Sequence, residues 1–177
     1  MLYQRSDDTH FQLTGQLITL KPFISSNITS EYIGWLNNPA IVRYSNQRFR
    51  THNVGTCEDY LRSFMQTDNM LLAIYRESEF VGTITAYVSQ PHNTADMGIL
   101  IGCQYWGKGI GTDAWTTLIR YLFQAGIRKV TGGTVRCNTA MVNIMMKSGM
   151  KPDGVRFAQE LVNGEPEDIL YFAKFNT

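Results

Sequence analysis

Three glycines stand close together in the segment QYWGKGIGTDAW (104–115), immediately before a stretch with the apolar periodicity of a helix. The first N–H groups of a helix have no partner inside it, and the helix dipole is positive at that end. Because glycine has no side chain, a phosphate can approach such amides closely enough to accept hydrogen bonds. Lys108 would add a positive charge and Thr112 a hydroxyl. The segment predicts a pyrophosphate site on Gly107, Gly109 and Gly111.

The spacing of these glycines separates the possible pyrophosphate ligands. It is G-x-G-x-G, whereas a dinucleotide-binding turn has G-x-G-x-x-G on an early strand and an acid about 20 residues later. A Walker A loop needs G-x-x-x-x-G-K-[ST], which the segment does not contain. The remaining alternative is a tight strand-to-helix turn without a ligand, although one turn seldom needs three glycines.

The elements that must position this segment follow from the apolar periodicity along the chain. The predicted order is β-α-α-β-β-β-α-β-α-β-β, with helices between strands only in the middle, so the fold class is α/β with a mixed sheet. The strands are predicted at 15–23, 70–76, 80–88, 94–102, 129–136, 155–162 and 167–175. Gly132 and Gly133 predict an interruption of the strand that contains them.

Capping residues predict where the helices begin and end. The second helix is predicted to begin with a capping box formed by Thr56 and Asp59, and the central helix to span 112–125. Asn138 is predicted as the N-cap of the last helix, and Gly149 as the residue that terminates it.

The segment ADMGILIGCQYWGKGIGTDAW (95–115) resembles the acetyl-CoA-binding motif of the GNAT superfamily of N-acetyltransferases. The usual pattern there is Q/R-x-x-G-x-G/A at the start of the central helix. Gly109 and Gly111 fill its two glycine positions, and Trp106 stands where Gln or Arg is commonest. The WGKG sequence is familiar in the branch that includes the ribosomal-protein alanine acetyltransferases.

Two later segments agree with this resemblance. NTAMVNIMMKSGM (138–150) is similar to the family's N-x-x-S/A … K-x-G-F/M helix, and LVNGEPEDILYFAKF (161–175) resembles the closing hairpin of the same branch, in which Asp168 is a common residue. The resemblance covers about residues 12–175. It implies one N-acetyltransferase domain over residues 1–177.

The resemblance implies a GNAT-like fold, with a mixed, strongly twisted, mostly antiparallel sheet and flanking helices. Its two central parallel strands, here 96–101 and 129–136, splay apart and admit acetyl-CoA. Backbone groups of Ile99 and Ile101 would bond the pantetheine arm like an added strand. Asn138 would contact the coenzyme besides capping its helix. The amides that would hold the pyrophosphate belong to Trp106, Gly107, Lys108, Gly109, Ile110, Gly111 and Thr112.

Acetyl transfer to an amine needs a base for the amine and a donor for the oxyanion, the latter expected from the backbone near Ile99. Asp96 is the first candidate base, because it lies in an apolar strand where family members often carry Glu, and burial there would raise its pKa. Glu160 is the second, in a strand that would border the acceptor cleft. For either residue the alternative is an ordinary surface charge.

A proton donor for the departing thiolate is harder to assign. The two positions at which family members place a Tyr or Ser donor are Met145 and Met141 in this sequence. Tyr171, Ser148 or a water molecule remain as candidates, or the thiolate leaves without a proton. Direct transfer requires no enzyme nucleophile, so a structural role is favoured for Cys137.

The acceptor is expected to lie against the first two helices and the loop NPAIVRYSNQRFRTHN (38–53), whose basic and aromatic side chains Arg43, Tyr44, Arg48 and His52 suit an anionic acceptor. A nucleotide-linked aminosugar or another small amine is the first hypothesis. The alternatives are acetylation of a protein N-terminus, as in the ribosomal-protein branch, and a non-catalytic acyl-CoA sensor. A solvated loop without ligands would carry the same residues.

Composition limits the classes of partner. The chain has 177 residues with 16 Lys and Arg against 15 Asp and Glu, a formal charge of +1 that argues against nucleic acid. Its three cysteines and three histidines are scattered and predict no metal site. The first residues lack the apolar core of a signal peptide, and no run is long enough to span a membrane. These features suggest a cytoplasmic protein, and a homodimer is possible through an exposed sheet edge.

Overall fold

The computed structural model describes residues 11–177. Most of the segment that lacks the apolar core of a signal peptide, residues 1–12, therefore lies outside the described residues. Eight strands form one sheet in the order β1-β2-β3-β4-β5-β6-β8-β7. The strands are β1 (Leu13–Thr14), β2 (Thr19–Pro22), β3 (Met70–Arg76), β4 (Glu79–Ser89), β5 (Thr94–Ile101), β6 (Lys129–Val135), β7 (Lys151–Val162) and β8 (Glu165–Phe175). The α-helices are α1 (Ser30–Leu36), α2 (Pro39–Val42), α3 (Val54–Arg62), α4 (Ile110–Gln124) and α5 (Thr139–Lys147).

Neighbouring strands of this sheet run antiparallel except for β5 and β6, which run parallel at its centre. The prediction of a mixed, mostly antiparallel sheet with one central parallel pair is therefore confirmed. The predicted order of helices and strands is also correct for every element longer than four residues. The two-residue β1 and the four-residue α2 were not predicted, because neither is long enough to show a periodic pattern.

The core lies on both faces of the sheet, with α1 and α3 packed on one face and α4 on the other. Trp115 of α4 is fully buried, and a Cβ on Gly132 would lie 2.8 Å from its ring. Glycine in β6 therefore allows helix and strand to approach closely. The predicted interruption of this strand at Gly132 and Gly133 is wrong, since β6 pairs with β8 through both residues.

Both predicted ends of α5 are confirmed, whereas the predicted starts of α3 and α4 are not. The side chain of Asn138 accepts a hydrogen bond from the N–H of Met141, and Gly149 follows α5 with a φ of +79°. The predicted capping box of α3 is wrong by one turn, because Asn53 and Thr56 form it and the helix begins at Val54. Helix α4 begins at Ile110, two residues earlier than predicted.

The C-terminal hairpin places β8 inside the sheet and β7 at its edge. Asn163 and Gly164 form its two-residue turn with φ values of 54° and 86°. Two successive positive φ values are typical of the tight turn that suits twisted strands. The predicted turn begins at the right residue, but the strands on either side are longer than expected.

Candidate active site

Strands β5 and β6 separate after three residue pairs. Their register runs from Thr94 opposite Lys129 to Asp96 opposite Thr131, and no pair follows. Nevertheless β5 continues to Ile101 and β6 continues beyond its last pair as well. Helices α4 and α5 begin beyond the diverging ends. The sheet therefore contains a V-shaped cleft whose closed end lies at Asp96 and whose open end faces two helix N-termini.

The N-terminus of α4 presents backbone donors at the open end. Gly109 is its N-cap with a φ of +79°, and the first helical hydrogen bond runs from the N–H of Asp113 to the Gly109 carbonyl over 3.1 Å. The N–H groups of Ile110, Gly111 and Thr112 therefore have no carbonyl partner within the helix. Gly107 also has a positive φ, and the space beside it is open to 4 Å. This arrangement suits an anion, and binding of pyrophosphate there remains a prediction.

Position 111 requires glycine for a different reason, which is close packing. A Cβ there would lie 2.8 Å from Cδ1 of Ile144 and 3.3 Å from Cδ1 of Ile101. Glycine at this position lets α4 pack closely against α5 and β5. It keeps both walls of the cleft near the row of amides.

Two polar side chains of the loop before α4 donate hydrogen bonds to nearby backbone carbonyls. Lys108 donates to the carbonyl of Gln104 over 2.9 Å. The indole N–H of Trp106 donates to the carbonyl of Ile101 over 2.8 Å, although half of this side chain is exposed. An interaction of Lys108 with phosphate remains a prediction and requires its ammonium group to leave Gln104. The Ile101 carbonyl, proposed for the pantetheine arm, is already engaged.

The alternation of β5 places backbone groups of Ile99 in the cleft. The N–H of Gly102 donates to the carbonyl of Val81 in β4 over 3.1 Å. Backbone groups of alternate residues point to opposite edges of a strand. Those of Ile99 and Ile101 therefore point away from β4, towards the space that β6 vacates. With the Ile101 carbonyl engaged, Ile99 is the main candidate for strand-like bonding.

Asn138 lies at the second helix N-terminus of the cleft. Its Oδ1 accepts from the N–H of Met141 over 3.3 Å, and its Nδ2 donates to Oγ1 of Thr134 over 3.0 Å. The predicted capping role is confirmed. The predicted contact with the coenzyme remains a prediction.

The turn between β1 and β2 is fastened to the first turn of α4. The carboxylate of Asp113 accepts hydrogen bonds of 3.1, 2.6 and 3.2 Å from the backbone N–H groups of Gln16, Leu17 and Ile18. A Cβ on Gly15 would lie 2.5 Å from the same carboxylate. Leu17 Cδ1 also lies 3.3 Å from where a Cβ of Gly109 would be. We call this arrangement the Asp113 clasp, and sequence periodicity gave no sign of it.

The substitution Gly15→Ala is expected to open the Asp113 clasp, because the carboxylate cannot retreat from a new Cβ without losing its three donors. We expect a loss of about 1–3 kcal/mol in the free energy of unfolding, the cost of disrupting hydrogen bonds to a charged group. We also expect a three- to tenfold higher KM for acetyl-CoA. Denaturant unfolding and initial rates measure the two effects.

The matched control is Gly34→Ala in α1, where a Cβ would meet nothing within 4 Å. That change should leave stability unchanged or slightly raised, since alanine favours a helix over glycine. Equal behaviour of the two variants would show that the clasp contributes nothing.

Asp96 occupies the closed end of the cleft. Thr131 on β6 donates its hydroxyl to Oδ1 of Asp96 over 2.6 Å. The side chain is exposed, but enough protein surrounds its carboxyl that desolvation raises the pKa above the ordinary value of 3.8, while the Thr131 hydrogen bond opposes the rise. The side chain lies on the sheet face opposite α4, as does Tyr87, its direct partner on β4.

Glu160, the second candidate base, is part of an ion pair. Nη2 of Arg48 lies 3.3 Å from its carboxylate and 3.2 Å from the Leu161 carbonyl. Along β8 the partner of Glu160 is Glu167, whereas the row of Asp96 reaches Ala173. Six residues of strand correspond to about 20 Å. The structure therefore does not bring the two candidate bases together.

Tyr171 lies on the same face as Asp96 and beside the cleft. It is paired with Gly133, and a Cβ on that glycine would lie 2.9 Å from the tyrosine ring. Glycine thus lets the ring lie over β6. The guanidinium of Arg156, a residue of β7, lies 5.2 Å from the centre of the Tyr171 ring. Ser148, by contrast, ends α5 at the far end from the cleft and donates to the Ile144 carbonyl, so it does not suit a proton donor.

The predicted acceptor residues are separated by the structure. Arg48 is committed to Glu160, and the Arg43 guanidinium lies 5.3 Å from the ring centre of its neighbour Tyr44. The backbone N–H and carbonyl of His52 bond the side chain of Asn37. Of the four predicted acceptor residues, His52 alone lines a cavity of ≈ 420 Å³ between α1 and α3. Another depression, of ≈ 440 Å³, lies along α4 beside the C-terminal residues, away from the splayed strands.

Two kinds of feature, a metal site and a membrane-spanning helix, are not found in the described part of the chain. Among residues 11–177, no group of three His, Cys, Asp or Glu side chains is arranged to hold a metal ion. No helix within that range has the length and apolar character needed to cross a membrane.

A central pair of splayed parallel strands, with helix amides at the open end, defines the class of acetyl-CoA-dependent acyltransferase folds. The family model described as "Acetyltransferase (GNAT) domain" matches residues 18–151. The chain belongs to the GNAT acetyltransferase family. The resemblance inferred from the glycine segment and the two later segments is thereby confirmed.

Three known proteins illustrate the similarity. The uncharacterized N-acetyltransferase YoaA of Bacillus subtilis is 27% identical over 92 residues, and the match spans about half of either protein, 51% of this chain and 52% of YoaA. RimL, a ribosomal L7/L12 α-N-protein acetyltransferase solved with coenzyme A, has a TM-score of 0.84 at 14% identity, over 93% of this chain and 98% of RimL. Spermidine N-acetyltransferase from Vibrio cholerae, solved with CoA and spermine, has a TM-score of 0.81 at 15% identity, over 90% and 96%. The two solved structures share the fold.

Proposed function

We propose that this protein transfers the acetyl group of acetyl-CoA to a small primary amine, with both substrates bound at once. The observation that carries the proposal is the position of Asp96 at the point where β5 and β6 part. A carboxylate there lies on the sheet face opposite α4, while the α4 amides stand at the other end of the same opening.

The residues present suit acetyl-CoA. The amides at the start of α4 would hold its pyrophosphate, and backbone groups of Ile99 would bond its pantetheine arm. Gly107 leaves open space beside the amides, which a side chain would reduce. Acetyl-CoA supplies an activated acetyl thioester, so the chain itself needs no nucleophile.

Asp96 is the base in this proposal. A primary amine is mostly protonated at neutral pH and must lose a proton before it can attack a carbonyl. Desolvation raises the pKa of Asp96 and makes its carboxylate a stronger proton acceptor than an ordinary aspartate. Thr131 fixes the orientation of that carboxylate through one oxygen, which leaves the other for the amine.

Tyr171 is our candidate for the acid. A methionine thioether has no acidic hydrogen, so neither family position offers a proton. Met145 is fully buried, and Met141 packs against the core. The tyrosine ring lies over Gly133 at the edge of the cleft, on the side of Asp96. A phenol at that place can give a proton to the departing sulfur.

The acceptor is proposed to be an aminosugar or a comparably polar small amine. The ion pair with Glu160 neutralises Arg48, so the structure lends less support to an anionic, nucleotide-linked acceptor than the sequence did. Acetylation of a protein N-terminus and the role of a non-catalytic acyl-CoA sensor remain the outcomes against which the proposal is tested.

The proposal predicts that acetyl-CoA raises the thermal unfolding midpoint, because a ligand of the native state stabilises it by mass action. Release of free thiol should then accelerate with an aminosugar more than with spermidine or an alanyl peptide. A preference for the peptide would indicate the protein N-terminal function. Stabilisation by acetyl-CoA without turnover of any amine would indicate a sensor.

A further inference from the structure

The two strands that border the cleft each carry a glycine just beyond their last shared pair. The parallel register ends with Asp96 opposite Thr131, and Gly98 and Gly133 follow two residues later on β5 and β6. Because side chains alternate along a strand, both glycines lie on the face that carries Asp96. Where the cleft begins to open, neither strand therefore contributes a side chain to that face.

A side chain from the next strand outwards covers each of these glycines. A Cβ on Gly98 would lie 2.9 Å from Oγ1 of Thr85, its direct partner on β4. A Cβ on Gly133 would lie 2.9 Å from Cε1 and 3.0 Å from Cδ1 of Tyr171, its direct partner on β8. Thr85 is buried and Tyr171 is half-buried. The opening is thus flanked on this face by a small side chain and by an aromatic ring.

The position of the Tyr171 ring is defined by its two neighbours. Any side chain at position 133 would displace the ring, so glycine there lets it lie over β6 at the border of the cleft. The guanidinium of Arg156 on β7 lies 5.2 Å from the ring centre. A cation over an aromatic face is attracted to it. Arg156 therefore favours the orientation in which the ring leans on Gly133.

The proposed place of acetyl-CoA brings its acyl end to this ring. The coenzyme would run from the α4 amides at the open end, past Ile99, towards Asp96 at the closed end. Its thioester carbon must come within reach of the amine that Asp96 deprotonates, which places the acyl group at the level of Gly98 and Gly133. An acyl chain that continues beyond this level meets the paired part of β5 and β6 ahead and Tyr171 beside it.

We propose that the ring of Tyr171 limits the transferred acyl group to acetyl, and that Arg156 positions the ring for this purpose. This inference rests on the proposed acetyltransferase function and adds the choice of acyl donor to it. The size limit requires only the ring of Tyr171, whereas the proposed donation of a proton requires its hydroxyl. The two roles are therefore separable by substitution.

Two substitutions make that separation. Tyr171→Phe removes the hydroxyl and keeps the ring, and Tyr171→Ala removes both. Phe175→Ala is the matched control, because it also removes a ring of β8 beside a cation, Lys129 at 5.3 Å, but at the end where β5 and β6 are still paired. The measurement is kcat/KM for acetyl-CoA and for butyryl-CoA with glucosamine, or with spermidine or an alanyl peptide if these react faster. The ratio of the two constants cancels any loss of proton donation.

We expect the wild type to prefer acetyl-CoA about 100-fold or more, because each methylene that does not fit costs about tenfold or more. The preference should persist in Tyr171→Phe and Phe175→Ala and fall to about tenfold or less in Tyr171→Ala. Arg156→Ala should lower it about two- to fivefold, the effect of one exposed cation–π contact. Equal use of both donors by the wild type, or an unchanged preference in Tyr171→Ala, would overturn the size limit. An unchanged preference in Arg156→Ala would overturn the positioning role.

A binding measurement separates this inference from the proposed function. If the wild type acetylates none of the amines, the proposed function fails, and calorimetric titration with CoA, acetyl-CoA and butyryl-CoA still tests the ring. The affinity for CoA shows which variants are folded, and Tyr171→Val, with a residue that favours strands, replaces Tyr171→Ala if the latter does not fold. Weaker binding of butyryl-CoA than of acetyl-CoA that disappears with the ring supports the size limit. Equal affinities in the wild type, or no binding of either donor, overturn it.

Discussion

Replacement of Asp96 by asparagine is expected to lower kcat about 100- to 10,000-fold, the usual contribution of a positioned acid or base. Asparagine has nearly the same shape and can still accept the hydrogen bond from Thr131, so the geometry of the cleft should survive. The amide cannot take up a proton from the amine. Stopped-flow or steady-state assays at saturating acetyl-CoA measure the loss, and the CoA affinity should remain unchanged.

The pKa of Asp96 gives this prediction a second readout. Because desolvation raises that pKa in the folded protein, the wild-type rate should increase with pH as Asp96 loses its proton, at a pH above its ordinary value of 3.8. This increase should be absent from the residual activity of Asp96→Asn. The expected assay is a pH profile of kcat/KM for the acceptor.

The raised pKa of Asp96, which favours catalysis, lowers the stability of the folded protein at neutral pH. Between the ordinary and the raised pKa, the folded protein binds more protons than the unfolded chain, so ionised Asp96 opposes folding above its folded pKa. This penalty vanishes below pH 3.8, where both states are protonated. At neutral pH, Asp96→Asn should therefore unfold at a temperature no lower than the wild type while being far less active.

Glu160→Gln is the matched control for the choice of base. It makes the same carboxylate-to-amide change in an ion pair about 20 Å away along the sheet. We expect kcat within about threefold of the wild type, because a partly exposed ion pair contributes little. A large loss of activity in Glu160→Gln together with an active Asp96→Asn would assign the base to Glu160.

Much of this fold could be predicted from the sequence because its signals are local. The α4 segment combines an apolar stripe with glycines that stand before its first turn, and two glycines of that loop indeed have φ values above 70°. Asn138 caps α5 through a residue only three positions away. Such features depend on the preferences of neighbouring residues, and a sequence displays them directly.

The arrangement of the site could not be predicted, since it depends on contacts between distant segments. The hydrogen bond from Thr131 to Asp96 joins residues 35 positions apart, and the Asp113 clasp joins residues 95 to 97 positions apart. No periodicity records such pairs. Arg48 and Glu160, 112 positions apart, were each assigned to a separate task and instead neutralise one another.

A similar limit explains why Gly132 was misinterpreted. In a single sequence, a glycine inside a strand indicates a break or a close approach, and only the partner decides between them. Here the partner is Trp115, whose ring fills the space of a Cβ. The cavity between α1 and α3 is subject to the same limit, because its walls come from two helices and the loop between them.

Gly109→Val is expected to weaken CoA binding about 100-fold or more. Gly109 has a φ of +79° and precedes the free amides of α4, so a β-branched residue there must change the backbone that aims those amides. Each hydrogen bond to a charged group contributes roughly 1.5–3 kcal/mol, and misdirecting two of them accounts for the predicted loss. Isothermal titration with CoA measures it.

Gly126→Val separates this loss from backbone strain. Gly126 ends the same helix with a φ of +90° and has nothing within 4 Å of a Cβ, so valine there strains the backbone in the same way. Both variants should lose about 1–2 kcal/mol or more of stability. Only Gly109→Val should lose CoA, because an anion is attracted to the N-terminal amides and repelled by the carbonyls at the other end. Equal CoA affinities in the two variants would mean that the glycines before α4 serve the turn alone.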